Sequence, residues 1–255
     1  MNTAPMSKAP APRTTGGNTG PVTTPRPALS RRHTAFQRPA PVPLPPSPPR
    51  VAERIKTALD YPLAAALLVA FAPVIALTML AVRLTSRGPA VYSQARVGRG
   101  GRVFTIYKIR TMFHECESLT GPRWAIPGDP RVTPLGRVLR VLHLDELPQL
   151  WNVLRGDMAM IGPRPERPEI CKQLRLTLPG YDFRHMVKPG ITGFAQVHLP
   201  PDSNLQSVRN KVAYDRHYIS RMGPGMDVYV YACTALKVLG LRRLYQRKPL
   251  KPADE

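Results

Sequence analysis

Twenty-two consecutive residues, YPLAAALLVAFAPVIALTMLAV at positions 61–82, carry no charge. As an α-helix, such a stretch is long enough to cross the ~30 Å hydrocarbon core of a bilayer. A buried helix of a soluble protein is the alternative, but core helices seldom run so long without a charged residue. Pro73 lies near the middle, where a proline removes one backbone hydrogen bond and bends a helix. The stretch therefore predicts a membrane helix that either crosses the bilayer or bends at Ala72 and Pro73 and returns.

Basic residues flank this stretch on both sides. Three basic residues precede it (Arg50, Arg54 and Lys56), and five follow it (Arg83, Arg87, Arg96, Arg99 and Arg102). Because basic flanks favour the cytoplasmic side, the weak asymmetry favours a re-entrant hairpin, with a crossing helix as the alternative. The sequence predicts no second span, since the apolar residues 226–241 are interrupted by charges in a pattern typical of an interfacial helix.

Charge is the most unusual feature of the composition. The 255 residues include 37 Lys and Arg against 16 Asp and Glu, a net charge of +21. A positive charge of this size indicates an anionic partner: nucleic acid, an acidic membrane surface or a phosphate-rich substrate. The three cysteines are too widely spaced for a zinc knuckle and odd in number, so a reducing compartment fits best.

Proline divides the chain. Residues 1–50 hold 13 of the 31 prolines, seven basic residues and no acidic residue. This composition predicts a disordered, Pro-rich basic tail. The remaining residues still hold 30 basic and 16 acidic side chains, so the positive charge belongs mainly to the folded part.

A strand is predicted at residues 103–111 (VFTIYKIRT), where β-branched and aromatic residues follow a Gly-rich turn. Alternation along a strand places Lys108 and Arg110 on one face. Such a pair is more often a solvated face than a phosphate site, and the glycines lack the spacing of a phosphate-binding loop. The strand alone leaves both interpretations open.

The densest charge lies in residues 139–165 (LRVLHLDELPQLWNVLRGDMAMIGPRP). Asp145 can be the N-cap of a helix that has Glu146 in its first turn. A helix start also favours anions, so these two carboxylates could hold a divalent cation and a diphosphate. Arg140 and Arg164 flank them, and the prolines on either side of Arg164 restrict the direction of its guanidinium. Ordinary capping and a phosphate site are both compatible with the pattern.

Six motifs occur in a fixed order. They are 94–104 (QARVGRGGRVF), 107–112 (YKIRTM), 129–137 (DPRVTPLGR), 144–150 (LDELPQL), 162–165 (GPRP) and 188–193 (KPGITG). With them, the chain resembles the bacterial sugar transferase family, the monotopic polyprenyl-phosphate phosphoglycosyl transferases that begin the assembly of surface polysaccharides and glycoconjugates. The resemblance runs from about residue 54 to residue 239, and six motifs in order make it specific.

The resemblance implies an enzyme that transfers a sugar 1-phosphate from a nucleotide diphosphate sugar, usually a UDP-sugar, to polyprenyl phosphate. Asp145 is then the nucleophile that attacks the sugar-bearing phosphorus, releases UMP and forms an intermediate that the lipid phosphate resolves. Glu146, with Asp145, is then the partner of Mg²⁺, with Mn²⁺ as the alternative metal. The basic residues that match phosphate-contacting positions are Lys108, Arg110, Arg140 and Arg164.

The resemblance also implies an architecture. Ala72 and Pro73 correspond to the small residue and proline that turn the family's membrane helix back. The expected fold is a small monotopic α/β membrane enzyme: a re-entrant helical hairpin (51–88), a catalytic domain with interfacial helices and a small sheet (89–245), and a C-terminal tail (246–255). It would rest on the cytoplasmic face of the bacterial inner membrane, and a homo-oligomer is compatible with it.

Three residues depart from the family pattern: His143 where a small hydroxyl residue is usual, Phe194 in place of Trp, and His198 where Asn is commoner. None removes a catalytic group. His143 stands two residues before Asp145 and could alter the response of the site to pH. The region after Gln196 can bear on the choice of sugar.

Two other classes of protein account for parts of the sequence. A nucleic-acid binder would explain the charge, but aromatic residues are only 7% and no helix-turn-helix, zinc or RNP pattern is present. No nucleic-acid partner is therefore expected. A noncatalytic membrane adaptor would explain the tail and the apolar stretch but leaves the Asp-Glu and GPRP motifs without a purpose.

Overall fold

The computed structural model describes residues 50–116, 128–202 and 204–245. The predicted tails at residues 1–50, apart from Arg50, and at 246–255 lie outside these ranges. The helices are α1 (Arg50–Thr85), α2 (Pro134–Val141), α3 (Gln149–Leu154), α4 (Pro168–Thr177), α5 (Phe194–His198), α6 (Leu205–Ser220) and α7 (Pro224–Val238). The strands are β1 (Val91–Val97), β2 (Val103–Ile109), β3 (Ala159–Ile161) and β4 (Gly190–Thr192). The predicted mixture of helices with small sheets is confirmed.

Strands β1 and β2 form an antiparallel hairpin whose register runs from Val91 opposite Ile109 to Val97 opposite Val103. The Gly-rich segment closes it, with Gly100 and Gly101 at positive φ. The predicted strand at 103–111 is thus confirmed, but it ends at Ile109, two residues earlier than the pattern suggested.

Strands β3 and β4 are parallel, pairing Ala159 with Gly190 and Ile161 with Thr192. Glycine is required where β3 and β4 pair because the two backbone segments approach closely. A Cβ at Gly190 would lie 2.0 Å from the nitrogen of Gly162, and a Cβ at Gly162 would lie 2.4 Å from the carbonyl oxygen of Lys188. Both glycines belong to the motifs found in the sequence, and the close approach of the two backbone segments explains why these positions lack side chains.

The main core lies between α3, β3, α5, α6 and α7. Its most deeply buried members include Val153, Met158, Ile161, Tyr218 and Val230. Asn152 fastens α3 to the hairpin, because its amide donates to the carbonyl of Thr105 (2.7 Å) and accepts from the N–H of Tyr107 (3.1 Å). The core therefore fixes β2 and β3 relative to α3, and these elements carry the charged residues of the site.

Helix α1 contains the uncharged stretch and is, within the described ranges, the one helix long and apolar enough to cross a membrane. Only 11% of the most apolar 18-residue stretch of this helix is buried, whereas the core helix of a soluble protein is mostly buried. Val69, Leu77 and Leu84 are 76%, 67% and 78% exposed. These features are consistent with a monotopic membrane protein.

Polar contacts attach the first turns of α1 to the rest of the chain. Lys56 lies 2.9 Å from a carboxylate oxygen of Asp227 in α7 and 3.5 Å from that of Asp60. Asp60 accepts a hydrogen bond from the N–H of Met160 at 3.1 Å, and Tyr218 donates to Asp227 at 2.7 Å. These side chains are largely buried, so the start of α1 is bound to β3, α6 and α7.

The end of α1 is attached to the same domain. Val82 packs against Ile109 of β2 and Leu139 of α2. The guanidinium of Arg110 donates to the carbonyls of Ser86, Arg87 and Gly88 and to the hydroxyl of Ser86. Both ends of the apolar stretch are thus held by the folded domain, while its middle is exposed.

Candidate active site

A cleft of about 900 Å³ contains most of the predicted site residues. It is lined on one side by the charged residues Lys108, Arg140, Asp145, Glu146 and Arg164. Leu67 and Phe71 of α1 also line it. The cleft therefore brings the charged cluster and the apolar helix to a common space.

Asp145 and Glu146 lie in a 3₁₀ turn, Leu144–Glu146, rather than at the start of a helix. The prediction of Asp145 as an N-cap is wrong, because α3 begins at Gln149 with Pro148 as its N-cap. His143 precedes the turn with φ of 57°, a left-handed conformation that is uncommon for a residue with a side chain. This reversal of the chain after α2 turns the two carboxylates inward.

Glu146 joins the basic residues of the site. Its Oε1 atom accepts hydrogen bonds from Lys108 Nζ at 2.6 Å and from Arg164 Nη2 at 3.0 Å. Burial alone would raise the pKa of Glu146, but the two cations outweigh it and hold the pKa well below its usual value. Glu146 is therefore ionised at neutral pH.

Asp145 has a different environment although it is the adjacent residue. Its side chain is 8% exposed, and among the described residues it accepts no hydrogen bond. Burial, followed by the charge of Glu146, raises its pKa from 3.8 to about 6, against the opposing charges of Lys108, Arg140 and Arg164. The result is a desolvated carboxylate that faces cations without a hydrogen-bonding partner.

Arg140 lies in the last turn of α2, where its Nε donates to the Thr111 hydroxyl at 2.8 Å. Its charge is near enough to lower the pKa of Asp145. Of the predicted basic residues, Lys108, Arg140 and Arg164 therefore surround the two carboxylates.

Arg110 is placed differently. It follows the last residue of β2, so the alternation that would put it beside Lys108 no longer applies. Its guanidinium nitrogens are used by the carbonyls that follow α1. Arg110 lines the same cleft, but its hydrogen bonds go to the chain after α1 rather than to the carboxylates, and a contact with phosphate stays a prediction for this residue.

The three departures lie in two places. His143 lines the cleft near Asp145. Phe194 and His198 belong to an aromatic cluster. The ring of Phe194 stacks on that of His217 with the centroids 5.2 Å apart, and the ring of His198 stacks on that of Tyr229 with the centroids 5.9 Å apart. Burial lowers the pKa of His198. The imidazole of His198 is thus packed and hydrogen-bonded at the edge of the core.

The sequence prediction missed a buried charge network beside the cleft. Arg184 and Asp215, each 3% exposed, form an ion pair at 2.9 Å. Glu166 is paired with Lys211 at 3.3 Å and with Arg96 at 3.7 Å. One signal could have found Arg184: it follows two aromatic residues that are buried, in the segment Tyr181–Met186. A charged residue in such a setting requires a partner.

Comparison with known proteins identifies the family of the chain. A family model described as bacterial sugar transferase matches residues 51–241. The chain belongs to the bacterial sugar transferase family. The match covers α1, the hairpin and the whole described domain up to the end of α7.

Curated relatives of this sugar transferase carry specific names. It is 40% identical over 185 residues, 72% of its chain and 44% of the relative, to "UDP-N-acetylgalactosamine-undecaprenyl-phosphate N-acetylgalactosaminephosphotransferase" of Aeromonas hydrophila. It is 40% identical over 200 residues, 77% of its chain and 74% of the relative, to "UDP-glucose:undecaprenyl-phosphate glucose-1-phosphate transferase" of Caulobacter vibrioides. It is 36% identical over 195 residues to "Undecaprenyl-phosphate glucose phosphotransferase" of Komagataeibacter xylinus, covering 74% of its chain and 37% of the relative. The chain thus spans less than half the length of two of these relatives.

The raised pKa of Asp145 predicts that this carboxylate destabilises the free protein. A folded-state pKa of about 6 against 3.8 unfolded means that ionisation costs folding about 3 kcal/mol above pH 6 and nothing below pH 4. Asp145→Asn should therefore raise the free energy of unfolding at pH 8 by up to about 3 kcal/mol. The gain should shrink as the pH falls from 6 to 4. Denaturation in detergent across this range measures it.

Glu169→Gln is the control, because Glu169 is an exposed acid in the first turn of α4 and its neutralisation should change stability little at any pH. A loss of stability in Asp145→Asn at pH 8 would show that the surrounding cations stabilise the carboxylate more than burial destabilises it.

Proposed function

We propose that this sugar transferase moves a sugar 1-phosphate from a UDP-sugar to undecaprenyl phosphate through a covalent intermediate on Asp145. The observation that carries the proposal is the desolvated carboxylate of Asp145 in the cleft that α1 borders, within the electrostatic influence of three cations, Lys108, Arg140 and Arg164. The names of the relatives support the donor and the acceptor.

In the first step, a carboxylate oxygen of Asp145 attacks the phosphorus that carries the sugar. A new oxygen–phosphorus bond forms, the bond from that phosphorus to the bridging oxygen breaks, and UMP leaves with the electron pair. Asp145 is suited to this role because it accepts no hydrogen bond among the described residues, so no donor must be displaced from its oxygens. Lys108 and Arg164 offset the charge of the diphosphate.

In the second step, an oxygen of undecaprenyl phosphate attacks the phosphorus of the aspartyl intermediate. The carboxylate of Asp145 is released, and the product is a lipid diphosphate sugar. Two displacements keep the two polyanionic substrates from having to meet in one transition state. The cationic wall of the cleft serves both steps.

The two carboxylates fit Mg²⁺, or Mn²⁺, as part of a substrate-dependent site. No group of three or more His, Cys, Asp or Glu that could hold a metal occurs among the described residues. Mg²⁺, however, is commonly held by one or two carboxylates and by substrate phosphates. Both hydrogen bonds to Glu146 go to Oε1, which leaves Oε2 and the Asp145 carboxylate for a cation. A bound Mg²⁺ would neutralise charge on the diphosphate.

The re-entrant course of α1 is part of the proposal. The start of α1 is bound to Asp227 and Met160, and its end to Ile109 and Arg110, all in one domain. A helix that crossed the bilayer would carry one of these ends to the far side. A bend at Ala72 and Pro73 in the membrane keeps both ends with the domain, on the cytoplasmic face.

Covalent catalysis predicts a burst. With a UDP-sugar and no lipid acceptor, the wild-type protein should release at most about one UMP per active site and gain a sugar-phosphate mass on the peptide that contains Asp145. Asp145→Asn should lose both the burst and the lipid product while remaining folded. Quenched-flow UMP release and peptide mass spectrometry measure the two signals.

Glu169→Gln, at an exposed acid of α4, serves as the control and should keep the burst. Wild-type protein that carries no adduct and whose first UMP depends on the lipid would exclude the intermediate. Asp145→Asn protein that turns over at the wild-type rate would do the same.

The metal proposal predicts that EDTA abolishes UMP release and that added Mg²⁺ or Mn²⁺ restores it. Glu146→Gln should raise the Mg²⁺ concentration needed for half-maximal rate at least tenfold, because one of the two carboxylates becomes neutral. Titration of Mg²⁺ in the burst assay measures this shift. Full activity in EDTA would show that the basic residues alone neutralise the phosphates.

The re-entrant course predicts that both ends of α1 are accessible from one side. In a variant without the native cysteines, single cysteines replacing Ala52 and Ser86 should react with an impermeant maleimide from the same side as a cysteine replacing Gln173, an exposed residue of α4. Labelling in spheroplasts and in inverted vesicles compares the sides. Reaction of Ala52→Cys and Ser86→Cys from opposite sides would show a crossing helix.

A further inference from the structure

The loop at residues 162–166, which carries Arg164, is held through its carbonyl groups. Four consecutive carbonyl oxygens each accept a hydrogen bond from a different residue. The bonds run from the N–H of Gly190 to Pro163 (3.0 Å), from Arg184 to Arg164 (2.9 Å), from Arg96 to Pro165 (2.9 Å) and from the N–H of Val97 to Glu166 (2.9 Å). Since the two prolines of the loop have no N–H to donate, these carbonyls are its principal backbone attachments.

Arg184 is the donor that reaches the carbonyl of Arg164 itself. Its Nη2 atom donates to that oxygen and lies 2.9 Å from Asp215 in α6, and its Nη1 donates to the hydroxyl of Tyr181 at 2.9 Å. Burial alone would lower the pKa of Arg184, but Asp215, Tyr181 and Glu166 together outweigh it and hold the pKa above its ordinary value. The guanidinium is therefore charged, buried, hydrogen-bonded to two acceptors and paired with the carboxylate of Asp215.

We propose that Arg184, with Asp215 as its counter-ion, is a positioning residue for Arg164. By fixing the carbonyl of Arg164, it keeps that side chain directed at Glu146 and at the diphosphate of the donor. The inference rests on the proposed function, because it assigns to Arg164 a contact with the reacting phosphates.

Stability alone does not explain a buried ion pair at this place. Replacing such a pair by apolar side chains is often neutral or stabilising, so its presence is weak evidence for a stabilising role. The planar fork of an arginine, by contrast, sets the direction of several acceptors at once, which a lysine or an apolar side chain does not. Here one of those acceptors is the backbone of the residue that holds Glu146 at 3.0 Å.

A double-mutant cycle tests the inference. Arg184→Gln should lower kcat/KM for UMP release at least tenfold, mainly through kcat, in the protein that has Arg164. In an Arg164→Ala background the same change should cost less than about twofold, because the group that Arg184 positions is gone. Assays use enzyme in excess and the UDP-sugar with the highest wild-type rate, so that the residual activity of Arg164→Ala is measurable.

Arg131→Gln is the matched control, because Arg131 forms another buried pair, with Asp129 at 2.6 Å. It should lower the rate by the same factor in both backgrounds. If Arg184→Gln does not fold, Tyr181→Phe removes only one acceptor of Arg184 and should give a smaller loss that again requires Arg164.

Equal factors in both backgrounds for Arg184→Gln, or for Tyr181→Phe, would overturn the positioning role and leave Arg184 as a structural residue. Absence of UMP release from the wild-type protein with every UDP-sugar would instead overturn the proposed function.

Discussion

A single carboxylate oxygen organises the basic wall of the cleft. Glu146 Oε1 accepts from Lys108 of β2 and from Arg164 of the loop after β3, and so joins three segments that are distant in sequence. Without this negative charge, two partly buried cations would repel each other at short range. The geometry of the wall therefore depends on Glu146 remaining ionised.

The negative charge of Glu146 also affects the pKa of the adjacent Asp145. Lys108 and Arg164 act on both adjacent carboxylates, but Glu146 takes their hydrogen bonds while Asp145 is left desolvated. Their pKa values are driven apart, which is a common basis for giving two carboxylates different chemical roles. The cost of burying Asp145 is offset by the packed core of α3, β3 and α6, where Val153, Ile161 and Tyr218 are almost fully buried.

Composition predicted α1 and periodicity predicted β2. The resemblance to the family named the candidate site residues that the structure brings to one cleft: Lys108, Arg140, Arg164, Asp145 and Glu146. The two failures have a physical cause in tertiary structure. An N-cap at Asp145 was inferred from local propensity, but the left-handed residue before it and the proline at 148 shift the helix start to Gln149. Arg110 was predicted to share a strand face with Lys108, but β2 ends at Ile109, one residue before Arg110. Partners such as Arg184 and Asp215, thirty-one residues apart, follow only from the packing of distant segments.

The position of α1 links the charge cluster to the bilayer. A lipid phosphate has a charged end and an apolar chain, so a site for it needs a cationic wall continuous with an apolar surface. The cleft supplies both, since Leu67 and Phe71 of the apolar helix share it with Lys108 and Arg164. The attachment of both ends of α1 to the domain fixes this relation, because neither surface can move without breaking the contacts of Lys56 or Arg110. The proposed acceptor could then reach Asp145 without its chain leaving the membrane.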